Sequence, residues 1–107
     1  MNEQDAERAT QFLVDTAYKY GEAVAASRKA EHMIKHTLAM EEKAAEKRGH
    51  KSAAAQKREA LASSEYVAAV ERSYEAELES RKLQASREAA AIRVDFWRSV
   101  NARQRGA

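Results

Sequence analysis

Between residues 43 and 65 the chain reads Lys43-Ala44-Ala45-Glu46-Lys47-Arg48-Gly49-His50-Lys51-Ser52-Ala53-Ala54-Ala55-Gln56-Lys57-Arg58-Glu59-Ala60-Leu61-Ala62-Ser63-Ser64-Glu65. Basic residues followed by Gly49 mark a helix C-terminus, because cations suit the negative end of the helix dipole and glycine accepts the left-handed capping conformation. Ser52 is placed to cap a short helix over about 53–61, and Ser63-Ser64-Glu65 restarts the chain with Ser64 as the expected N-cap. On either side of this stretch the chain has few breakers. It contains no proline and three glycines, and the only glycine upstream of Gly49 is Gly21. A long helix over about 5–48 and another over about 65–104 follow, each roughly 60–65 Å at 1.5 Å per residue.

Composition agrees. Of 107 residues, 24 are alanine, and Ala, Glu, Lys, Leu and Arg together supply 62, a balance that belongs to long helices and coiled coils. Only 23 residues are large and apolar, too few for an ordinary globular core. No cysteine is present, which excludes disulfides, thiolate metal sites and cysteine nucleophiles. No apolar run approaches the roughly 18 residues of a membrane span. The start, Met1-Asn2-Glu3-Gln4-Asp5, is too polar for a signal peptide, so the expectation is a cytoplasmic protein.

On the first helix Leu13, Ala17, Tyr20, Val24, Ile34, Leu38 and Ala45 form one apolar row, and Ala26, Ala30, Met33, Thr37, Met40 and Ala44 form a second beside it. On the last helix Val67, Val70, Tyr74, Leu78, Ala85, Ala89, Ile92, Phe96 and Val100 form a stripe. These spacings are helical. The expected fold is a single all-α domain, a long antiparallel hairpin with a short connecting helix. If Lys47 lies beside Ser64, residue i faces residue 111 minus i, so that Phe12 and Leu13 meet Phe96, Trp97 and Val100. Leu13, Tyr20, Ile34, Leu38, Tyr74, Leu78, Ile92, Phe96 and Trp97 are then the expected core or dimer residues. A lone hairpin buries little surface, so pairing of two hairpins into a four-helix, coiled-coil-like bundle is expected. The alternative is a monomeric three-helix bundle with residues 53–61 folded back.

The formal net charge is only +2, but it is uneven. Nine Lys/Arg face four Asp/Glu between Arg28 and Arg58, six Glu face Arg72 alone between Glu59 and Glu79, and four Arg face Asp95 between Arg93 and Arg105. The densest basic stretch, Lys43, Lys47, Arg48, Lys51, Lys57 and Arg58, surrounds the expected hairpin tip, with Arg103 and Arg105 as a second patch. Clustered cations at a turn can neutralise nucleic-acid phosphates. They also suit a solvated mixed-charge surface near a helix C-terminus.

Other candidates favour plain structural roles. His32 and His36 share a helix face at a metal-ligand spacing, but they read as surface histidines, and no metal or other cofactor is expected. Phe96-Trp97 beside Arg93 and Arg98 could stack on bases, although Phe96 belongs to the apolar stripe. No nucleophile triad, phosphate-binding glycine loop or dinucleotide fingerprint occurs, and the chain is not read as an enzyme.

Two segments carry a resemblance. Arg58-Glu59-Ala60-Leu61-Ala62-Ser63-Ser64-Glu65-Tyr66, and Ala91-Ile92-Arg93-Val94-Asp95-Phe96-Trp97-Arg98-Ser99 followed by Asn101-Ala102-Arg103, resemble the mid-chain and C-terminal motifs of small helical proteins of tailed bacteriophages and prophages. The resemblance covers the second half of the chain. In that family proline often stands where this chain has Ser64. Proteins of this kind accompany phage genes for DNA replication and recombination, so the resemblance implies a DNA-metabolism accessory role and assigns no activity. The functional expectation is a binding protein, homodimeric and in contact with DNA through its basic tip. An adaptor for another phage or host protein, a host-takeover inhibitor, or a structural coiled-coil scaffold is the alternative.

Overall fold

The computed structural model describes residues 2–106. It is all-helical, with α1 over Glu3–Lys47, α2 over Ala53–Leu61 and α3 over Ser64–Gly106, and no strand among the described residues.

The helix boundaries follow from capping chemistry. α1 starts two residues earlier than expected because Asn2 and Asp5 cap it reciprocally. The Asp5 amide donates to Asn2 Oδ1 at 2.9 Å and the Asn2 amide to Asp5 Oδ2 at 3.3 Å, the geometry of a capping box. α1 ends at Gly49, whose φ of 105° is left-handed. The Gly49 amide donates to Glu46 O at 3.0 Å and the His50 amide to Ala45 O at 3.1 Å, which is the paired hydrogen-bond pattern of a Schellman motif. Ser52 caps α2, accepting from the Ala55 amide at 3.1 Å. α3 is capped by Ser63 rather than Ser64. The Ser63 hydroxyl accepts from the Tyr66 amide at 3.1 Å and donates to Ala60 O at 2.8 Å, joining the end of α2 to the start of α3. Ser64 is thereby the first helical residue, a position that suits proline.

The contacts of the chain gather into two compact units, Met1–Glu22 with Glu79–Ala107, and Ala23–Leu78. In the first unit the α1 and α3 segments run antiparallel. Ala9, Ala90 and Val94 form its buried core, with Phe12 and Leu13 packed against them. The inward row of α3 is Ser80, Leu83, Arg87, Ala90, Val94, Trp97 and Asn101, and that of α1 is Ala6, Ala9, Leu13, Thr16 and Tyr20, all buried or half-buried. Both rows step by three and four, the heptad spacing of a coiled-coil seam. Arg87 crosses the seam. It donates to Leu13 O at 2.8 Å and to Thr16 Oγ1, and its guanidinium lies 5.5 Å from the Tyr20 ring centroid.

In the second unit the half-buried and buried rows are Ala23, Ser27, Ala30, Ile34, Thr37, Glu41 and Ala44 on α1, and Tyr66, Ala69, Ser73 and Ala76 on α3. Val24, Leu38 and Ala45 border the α1 row. Ala45 and Ala60 are fully buried. The connection is tied down by Gln56 Nε2, which donates to His50 O at 2.9 Å, and by His50 Nε2 at 3.9 Å from Glu59 Oε2.

Two expectations are corrected. The register is displaced by about two helical turns in the first unit: Leu13 lies at the level of Arg87 and Ala90, and Trp97 lines a groove with Ala6 and Thr10. Phe12 and Leu13 therefore do not face Trp97 and Val100. The stripe of larger residues on α3 is also not the inward one. Tyr74 is 68% exposed, Leu78 52%, Ile92 67% and Phe96 58%. The buried positions are instead small, Ala with one Ser and one Val, while larger inward side chains such as Leu83, Arg87 and Trp97 are half-buried at the edges of the seam. Small side chains at the buried positions let two helices pack without voids.

Candidate nucleic-acid interface

The side chains of Lys43, Lys47, Arg48, Lys51, Lys57 and Arg58 are all exposed, and all belong to the second unit. They flank one corner, the turn from α1 into α2. Lys43 and Lys47 are four residues apart in α1 and share a helix face. Arg48 and Lys51 bracket the glycine cap. Lys57 and Arg58 lie in α2, whose first turn contains no acidic residue.

The corner is rigidly framed. The cap at Gly49, the Ser52 cap and the Gln56–His50 hydrogen bond fix the backbone between the two helices. Among the described residues none of these six side chains pairs with a carboxylate. The nearby acid Glu59 is directed to His50, the residue between Gly49 and Lys51. Exposed unpaired cations on a fixed backbone offer charge to a polyanion with little side-chain pairing to undo.

The other sequence candidates lie elsewhere. Arg103 and Arg105 are exposed in the last turn of α3, in the first unit. Trp97 is half-buried in a groove with Ala6, Thr10 and Val94, so its ring is engaged by the chain itself. Of the expected core or dimer residues, Leu13, Tyr20, Ile34, Leu38 and Trp97 are half-buried, while Tyr74, Leu78, Ile92 and Phe96 are on the outer surface. His32 and His36 are exposed, and no group of three or more His, Asp or Glu able to hold a metal ion gathers among the described residues. No described helix is long and apolar enough to cross a membrane.

The sequence reading missed Arg87 as a residue of note. Its signal was faint: an arginine at a seam position, three residues before Ala90 and seven before Val94. Comparison with protein-family models, with curated proteins and with solved structures finds no match for this chain.

Proposed function

We propose that this chain is a non-enzymatic helical binding protein that contacts the phosphates of DNA through the corner between α1 and α2. The observation that carries this reading is the set of six exposed, unpaired cations around a backbone held by two helix caps and the Gln56–His50 hydrogen bond. Lys43, Lys47, Arg48, Lys51, Lys57 and Arg58 carry the contact, and Arg103 and Arg105 add a second basic site. Point charges on phosphates read no base edges, so binding is sequence-tolerant and strongly salt-dependent. The chain works as a homodimer, two helical hairpins forming a four-helix arrangement, in an accessory role in DNA recombination or replication that accords with the phage-protein resemblance.

The exposed apolar residues Ile92 and Phe96 favour a second reading, an adaptor that holds a protein partner on a helical face. Charge reversal separates the two. Lys47→Glu with Arg48→Glu removes DNA binding under the first reading and retains full helical content. Unchanged DNA affinity in that variant would exclude the corner as the contact surface.

A further inference from the structure

In the first unit a second heptad row on α3 faces outward, with only Ala89 at the edge of the groove beside Ala9 and Phe12 of α1. Ala85, Ala89, Ile92, Phe96 and Ser99 recur at spacings of four, three, four and three, and all are exposed. This row is distinct from the inward one through Ala90, Val94 and Trp97. Its flanks differ in charge: Glu88 and Asp95 precede the Ala89 and Phe96 positions, and Arg93 follows Ile92. Glu88, Asp95 and Arg93 are themselves exposed.

We propose that this face receives the same face of a second copy of the chain, with the two α3 segments parallel and in register. The inference rests on the dimer reading above and makes no use of the DNA contact. Burial argues for an occupant. The core of this unit contains nothing larger than Val94 buried, and helical units with so small a core need further apolar packing. Ile92 and Phe96 are the large apolar side chains that a second copy covers.

Charge sets the occupant and its direction. In a parallel heptad pair, the flanking residue before one core position faces the flanking residue five positions later in the partner. That places Glu88 of each copy across from Arg93 of the other, and the twofold axis repeats the pair. In an antiparallel pair each flank meets its own kind. Packing Phe96 on Ala85 and Ile92 on Ala89 in that direction sets Glu88 against Asp95 of the other copy, a like-charge contact. The face is therefore self-complementary in one direction only.

The chain has no cysteine, so Ser99→Cys introduces a single thiol at a core position of the row. Sedimentation without DNA is expected to give twice the 12.0 kDa chain mass, and mild oxidation of Ser99→Cys a disulfide-linked dimer. Ile92→Ser with Phe96→Ser is expected to weaken self-association at least tenfold with helical content unchanged. Glu88→Arg is expected to weaken it and Glu88→Arg with Arg93→Glu to restore it. A monomer at all concentrations overturns both this inference and the dimer reading. A dimer that survives Ile92→Ser with Phe96→Ser, or that links only when Lys82→Cys and Ser99→Cys chains are mixed, overturns the face or its direction and leaves dimerisation standing.

Discussion

Arg87 is the residue on which the first unit turns. Its guanidinium reaches a helix carbonyl and the Thr16 hydroxyl while lying over Tyr20, so one side chain joins polar, cation–π and packing contacts between α1 and α3. Arg87→Ala should lower unfolding stability by about 1–3 kcal/mol in urea titration. Arg87→Lys should recover little of that loss, because an ammonium cannot reproduce the planar fork; full recovery would show that charge alone matters. Two glycines make a contrasting pair. Gly49 has a left-handed backbone, and Gly49→Ala should cost about 1 kcal/mol. Gly21 is in mid-helix, where an added Cβ meets nothing within 4 Å. Gly21→Ala should therefore stabilise by up to about 1 kcal/mol, and destabilisation in the same denaturation assay would contradict its open surroundings.

Among the elements, α3 has its start fixed by Ser63, whose hydroxyl serves the Tyr66 amide and the Ala60 carbonyl at once. Ser63→Ala should cost about 1–2 kcal/mol, while Ser64→Pro should be neutral or slightly stabilising in thermal melts because it falls at the first helical position. The reverse ranking would restore Ser64 as the cap. Breaks between elements were legible in the sequence because they depend on local chemistry: Gly49 and Ser52 act within one turn of where they stand. The facing row was less legible. Apolar periodicity picked Tyr74, Leu78, Ile92 and Phe96 by size, whereas the chain turns Ser73, Ala76, Ala90 and Val94 inward. Hydrophobicity ranks side chains singly, but packing two helices at close approach selects small ones, and that is a property of the pair. Register failed for the same reason. It depends on how Arg87, Trp97 and the alanines fit across the seam, and a two-turn displacement preserves helical periodicity while changing every partner.

For the molecule as a whole, the distribution of charge is the property that reaches furthest toward function. A net charge of +2 predicts little by itself; six unpaired cations around one capped corner predict a great deal. That cluster was readable in the sequence, since Lys43 to Arg58 are close along the chain. Its freedom from carboxylate partners was not, because Glu46 stands three residues from Lys43 on α1, a spacing that allows a pair, and only the fold directs Glu59 to His50. Fluorescence anisotropy of labelled single- and double-stranded DNA at about 50 and 200 mM salt tests the account most directly, across a range where phosphate-driven binding weakens strongly. Phosphate contact through the basic corner predicts micromolar or tighter binding at the lower salt, little preference among sequences, and a loss of roughly a hundredfold or more at the higher salt if most of the six cations engage. Absence of binding at about 50 mM salt would contradict it and leave the helical faces, not the basic corner, as the working surface.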